Sequence, residues 1–227
     1  MNSLPPALWS TQWRGMDIAV FSIGEESPLR LADAGALLND EEKSRARKFH
    51  FDPDRNRWTR SRALLRLSLA ARMRLNPGNV QFCCGVNDKP ELVSDAAGPP
   101  MSFNLSHSGD FAAIAMGVEA VGVDIESWRD DLPVADLAEH AFSQDEYSAI
   151  RSSTGPFLLF YQMWTAKEAV MKCTGLGMSL PPASIQISGE PGSPLYSARR
   201  LDQEESFDLF AHNHPGTWVL SAARRAS

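Results

Sequence analysis

No apolar run in this 227-residue chain approaches the roughly 20 residues needed to cross a bilayer; Phe111–Val118, the most apolar stretch, is far shorter. The opening MNSLPPALWSTQW has no basic start feeding an apolar segment, so no export signal is expected and the chain is expected to be cytoplasmic. There are three cysteines, adjacent Cys83 and Cys84 and solitary Cys173, and their spacing forms neither a disulfide framework nor a zinc pattern. They read as reduced thiols. A phosphate-binding glycine loop, a dinucleotide fingerprint, an internal repeat and a long linker are also missing. What remains, 43% hydrophobic and 22% charged residues, is the composition of an ordinary folded protein.

The net charge of −6 is unevenly spread. Residues 1–116 hold 14 Lys/Arg against 13 Asp/Glu, and residues 117–227 hold 8 against 15. Within the first half, Lys43–Arg74 contains 11 basic residues and only Asp52 and Asp54 as acids. A basic tract in an acidic chain points to a local anionic partner, either phosphate or an acidic protein surface.

Helices are expected at 39–49, capped by Asn39 or Asp40, and at 54–73 after the Pro53 start signal. In the second, Trp58, Ala63, Leu64, Leu67 and Ala71 recur at helical spacing, with arginines filling much of the rest. Further helices are expected at 132–141, at 143–152 with a Ser143/Glu146 capping box, and at 155–173. Strands are expected at 18–23, 80–83, 111–116, 184–188, 207–211 and 218–222. The segment 120–127 alternates Val121, Val123 and Ile125 with Gly122, Asp124 and Glu126, the period of a half-buried strand. The class is α+β, in two subdomains, 1–116 and 117–227, each helices plus a small antiparallel sheet.

Asp124 and Glu126, two apart on a strand, leave the same face, and paired carboxylates repel unless a cation or proton lies between them. A magnesium ion (Mg2+) suits such a pair, since it takes a few carboxylates together with waters and substrate phosphates. On the helix at 155–173, Glu168 and Lys172 are four apart on one face, with Trp164 a turn earlier and Met171 beside them. A surface ion pair accounts for Lys172 but not for the apolar neighbours Phe160, Trp164 and Met171, which place this stripe toward the core. There the charges need partners.

Taken together, G-V-D-I-E at 122–126 and W-T-A-K-E-A-V-M-K at 164–172 resemble the paired signature of the 4′-phosphopantetheinyl transferase superfamily. N-L-S-H-S-G at 104–109, D-K-P at 88–90 and F-S-Q-D-E-Y at 142–147 are similar to segments of its larger, monomeric branch, typified by the surfactin-synthetase transferase. The resemblance implies two similar α/β subdomains related by a pseudo-two-fold, with coenzyme A in the cleft between them. It implies Mg2+ held by Asp124, Glu126 and Glu168, with Lys172 near the phosphates. It also carries over Arg57 to the 3′-phosphate, with Lys89, Ser106, His107 and Arg45 as further nucleotide contacts. Glu42 falls where the archetype has a lysine, so either one phosphate contact is missing or Lys43 or Arg45 replaces it; Asp88 stands in place of a family glycine.

The activity so implied moves phosphopantetheine from coenzyme A onto a serine of an acyl or peptidyl carrier protein. Asp124, Glu168 and Lys172 would carry the chemistry, with Glu168 or a metal-bound water as base. No nucleic-acid or membrane partner is expected. A metal-dependent phosphohydrolase would also use clustered carboxylates, and a module binding acidic proteins would use the arginine-rich helix. His212-Asn213-His214 superficially resembles a nuclease motif but reads as a loop before Pro215-Gly216.

Overall fold

The computed structural model describes residues 3–85, 87, 89–93, 101–189 and 193–226. The chain divides into two compact units, Met1–Val118 and Glu119–Ser227. Both are α+β. Among the described residues, no helix is long and apolar enough to cross a membrane.

In the first unit, strands β1 (Trp9–Trp13), β2 (Met16–Ser22), β5 (Ser102–Ser108) and β6 (Phe111–Gly117) form an antiparallel sheet in the order β1-β2-β6-β5. A separate ribbon pairs β3 (Phe82–Cys84) with β4 (Pro90–Leu92). The first hairpin turns on Arg14 and Gly15, both at positive φ (47° and 77°), the backbone a two-residue turn requires. Arginine at the first of these positions gives no turn signal, and β1 escapes the sequence reading for that reason.

Three helices follow β2: α1 (Leu31–Leu37), α2 (Asp40–Ala46) and α3 (Asp52–Met73). Helix α2 opens with a reciprocal box: Asn39 accepts from the Glu42 amide at 2.8 Å, and Glu42 accepts from the Asn39 amide at 3.0 Å. It ends at Ala46, a turn before the expected Phe49. Leu64, Leu67 and Leu69 of α3 pack with Phe21, Leu37, Phe103 and Ile114 in the core, whereas Ala71 is exposed.

Helix α3 divides the basic tract, turning part of it inward. Arg60 and Arg66 are buried. Arg60 donates to the carbonyls of Leu29 (3.1 Å) and Ile23 (3.2 Å). Arg66 donates to the carbonyls of Pro77 (2.9 Å) and Val80 (3.0 Å) and to the Glu42 carboxylate (2.7 Å). Arg62, mostly buried, also bonds Glu42 (2.5 Å) and lies 3.8 Å from the centre of the Phe82 ring. These three arginines bind the unit together, since a buried guanidinium must find acceptors. The Glu42 carboxyl is engaged in the same network: burial pushes its pKa up, but its bonds to Arg66, the Asn39 amide and Arg62 hold it below the usual value.

In the second unit, β7 (Val121–Ser127), β8 (Ile185–Ser188), β9 (Leu195–Arg200), β10 (Ser206–His214) and β11 (Trp218–Arg225) form an antiparallel sheet in the order β7-β11-β10-β9-β8. Helices α4 (Val134–Ala141), α5 (Gln144–Ser152) and α6 (Pro156–Thr174) accompany it. The Ser143/Glu146 capping box at α5 is present. Ala169, Val170 and Met171 of α6 pack with Phe207 and Leu209 of β10, Ala198 of β9 and Ala223 of β11. The loop reading of His212-Asn213-His214 is corrected: these residues end β10, paired with Leu220, Val219 and Trp218. Gly216, at φ 65°, supplies the turn, so the ladder runs up to it.

Candidate functional site

Strand β7 pairs with β11 in a register that sets Asp124 opposite Ser221 and Glu126 opposite Val219. Its face bearing Gly122, Asp124 and Glu126 lies under α6. A Cβ on Gly122 would sit 1.9 Å from the Ala169 carbonyl oxygen and 2.5 Å from the Cys173 nitrogen, both α6 backbone atoms. Glycine at 122 is what allows helix and strand to approach this closely. Helix α6 covers the first part of this face, and Asp124 is only 3% exposed.

The stripe of α6 that meets β7 carries Thr165, Glu168 and Lys172. Thr165 shares a 2.8 Å hydrogen bond with Ser221, the β11 residue beside Asp124. Lys172 donates to Asp124 Oδ1 at 2.6 Å. Burial pushes the Glu168 carboxyl above the usual carboxylate range; the Lys172 charge opposes that shift and the Asp124 charge adds to it. Asp124, Glu168 and Lys172 are therefore one electrostatic unit. Glu126, two residues on and partly exposed, acts on its neighbour Tyr161, whose hydroxyl burial pushes up with a contribution from Glu126.

The apolar neighbours thought to share this stripe lie elsewhere on α6. Phe160 and Trp164 stack with planes 3° apart and pack with Ala138 of α4 and Ile150 of α5, and Met171 belongs to the core with β9 and β10. Lys167, to which the sequence alone assigns no role, is fully buried. It donates to Glu146 (2.9 Å) and to the carbonyls of Pro182 (2.8 Å) and Ile185 (2.5 Å). Burial lowers its pKa and Glu146 opposes the shift. This lysine anchors α6 to α5 and to the chain entering β8, which fixes the adjacent Glu168. Its signal in the sequence was a lysine amid Thr165, Ala166 and Ala169, a run too apolar for a solvated cation.

The set Asp124, Glu126 and Glu168 offers only carboxylate oxygens, the hard donors that Mg2+ prefers. Among the described residues no three His, Cys, Asp or Glu side chains stand together as a ready-made metal cage. Asp124, Glu126 and Glu168 are thus not gathered into one group; the fit to the ion lies in the chemistry of these donors, not in their arrangement.

The remaining residues singled out from the sequence belong to the first unit. Arg57 of α3 donates from Nε to Asp110 at 2.8 Å and from Nη1 to Asp54 at 3.4 Å. Arg45 is exposed, its guanidinium 5.9 Å from the centre of the Trp58 ring. Ser106 and His107 are neighbours on β5 and leave opposite faces, the serine buried and the histidine exposed. Lys89 is partly buried in the link between β3 and β4, where its carbonyl accepts from the Gly85 amide at 2.8 Å. Asp88 lies outside the described residues.

Two family models match the chain: "4′-phosphopantetheinyl transferase superfamily" over residues 120–223 and "4′-phosphopantetheinyl transferase, N-terminal" over residues 25–119. It is 34% identical to the 4′-phosphopantetheinyl transferase HetI of Nostoc sp., over 73% of this chain and 70% of that one. It is 36% identical to a phosphopantetheinyl transferase of Thraustochytrium sp., over 79% and 72%, and 28% identical to the 4′-phosphopantetheinyl transferase Sfp of Bacillus subtilis, over 67% and 66%. Among relatives of this kind the shared stretch spans between 59% and 75% of the relative's own length.

Proposed function

Because this chain belongs to the 4′-phosphopantetheinyl transferase superfamily, we propose that it transfers the phosphopantetheine of coenzyme A to a serine of an apo acyl or peptidyl carrier protein, with Mg2+ as cofactor. The observation that carries this reading is the ion pair between buried Asp124 and half-buried Lys172, with Glu168 on the same helix stripe and electrostatically coupled to both.

The serine oxygen attacks the phosphorus bearing pantetheine, the bond to the nucleotide's bridging oxygen breaks, and adenosine 3′,5′-bisphosphate leaves. Such phosphoryl transfer depends on positioning and charge neutralisation. Asp124, Glu126 and Glu168 would hold the metal, which when bound offsets negative charge on the diphosphate. Lys172, oriented by Asp124, directs an ammonium at a phosphate oxygen. Glu168 is our choice to take the serine proton, since its raised pKa brings it closer to neutrality than an ordinary carboxylate. In the first unit Arg57 would bind the 3′-phosphate, with Arg45, Lys89, Ser106 and His107 contributing further nucleotide contacts. We take the protein to work as a cytoplasmic monomer without nucleic-acid or membrane partners.

Incubating protein, Mg2+, coenzyme A and a panel of apo carriers should yield carriers heavier by one phosphopantetheine in a mass spectrum. Asp124→Asn and Glu168→Gln should each lower turnover by about 100-fold or more. Near-normal rates in either variant would refute the metal assignment. Phosphoester cleavage without any carrier, and no carrier mass gain, would point to a hydrolase.

A further inference from the structure

Asp110 sits in the tight turn joining β5 to β6, and three segments of the first unit meet there. Its carbonyl accepts from the Ile23 amide at 2.8 Å, extending the β2–β6 pairing. Its carboxyl group lies against Gly24: a Cβ on that glycine would be 2.5 Å from Asp110 Cγ and 2.7 Å from Oδ2. Oδ1 accepts from Arg57 Nε at 2.8 Å, across 53 residues of sequence. One turn further along α3, Arg60 is bonded to the carbonyls of Ile23 and Leu29, so the helix is tied to the same segment.

A surface ion pair between two mobile side chains rarely fixes anything. This pair differs because the backbone of the acceptor is fixed by its bond to Ile23, and its carboxyl group lies close against Gly24, whose missing side chain leaves room for it there. Engaging Nε sets the plane of a guanidinium, and its fork then points in one direction with little rotamer entropy left to lose. Asp54, at 3.4 Å and on the same helix, is too distant to do this strongly.

We propose that Asp110 is a positioning residue for Arg57 and, through it, sets the preference for a nucleotide carrying a 3′-phosphate. The inference rests on the reading that Arg57 receives that phosphate. The cost of an acidic neighbour near a dianion is offset by presenting the guanidinium already oriented.

The test compares KM for coenzyme A with KM for 3′-dephospho-coenzyme A as alternative substrates. Asp110→Ala should raise KM for coenzyme A about 5–10-fold, the weight of one oriented charge-assisted contact, and leave KM for the dephospho form within about 2-fold. Asp110→Asn keeps an oxygen acceptor for Nε and should restore most of the loss. Both keep the backbone bond to Ile23, and a thermal melt of each confirms folding. Arg57→Ala should erase most of the preference for coenzyme A. If Arg57→Ala leaves that preference intact, the reading of Arg57 fails and the inference with it. If Arg57→Ala erases it while Asp110→Ala leaves it unchanged, shifts both substrates alike, or is not rescued by asparagine, Asp110 is structural and only the inference falls.

Discussion

Glu168 bears a conflict set by its surroundings. Burial raises its pKa, Lys172 resists and Asp124 reinforces. With the folded pKa above the unfolded value of about 4.3, its protonated form favours folding below the unfolded pKa, and that contribution is lost as pH rises through the folded one. In metal-free buffer Glu168→Gln should therefore melt higher than wild type at neutral pH, the gap closing as pH drops to about 4. A lower melting temperature at neutral pH would show that the charge is stabilised instead. Glu42 is the other instructive residue. From the sequence, Glu42 marks either a phosphate contact that is absent or one that Lys43 or Arg45 supplies; in the structure it is the common acceptor for Arg62, Arg66 and the Asn39 amide. One-dimensional alignment to a lysine gave no hint of partners 20 and 24 residues away.

The elements on which the site rests were largely legible. The alternation from Val121 to Ser127 gives β7, the capping box at Ser143 gives α5, and Pro156 with Gly175 brackets α6. The hidden part was the contact between them. Gly122 reads as a neutral strand residue until α6 is laid over it, when its lack of a Cβ becomes the condition for Asp124 and Lys172 to bond. Gly122→Ala should force the two elements apart, destabilising the protein by about 3 kcal/mol and lowering turnover with it. Chemical denaturation together with the carrier assay would check this. Retention of both stability and turnover would mean that α6 can shift without disturbing the site. The strand Leu195–Arg200 passed unseen because its polar residues dilute the period-two signal; pairing with β10 on one side and β8 on the other makes it a strand.

Across the whole molecule, a charge of −6 coexists with an exposed basic cluster. Burial of Arg60, Arg62 and Arg66 leaves Arg45, Arg47 and Lys48 exposed around the end of α2. If an acidic carrier is drawn to this cluster, kcat/KM for carrier should fall as salt rises, since exposed charges are screened beyond about 10 Å at 0.1 M. The double change Arg47→Glu with Lys48→Glu should flatten that dependence. A salt response equal to wild type in the double variant would place docking elsewhere.

The sequence by itself determined the α+β class, most helices, the carboxylate-bearing strand and the motif pair that marks the superfamily, because periodicity, caps and short motifs are local properties. Only the tertiary structure decided that Lys172 bonds Asp124, that Lys167 is a buried anchor rather than a surface cation, that three arginines of α3 face inward, and that Asp110 holds Arg57. Each of those depends on groups between 11 and 53 residues apart. Which acceptor a buried cation finds is fixed by packing, and packing over such separations leaves no periodic trace in the chain.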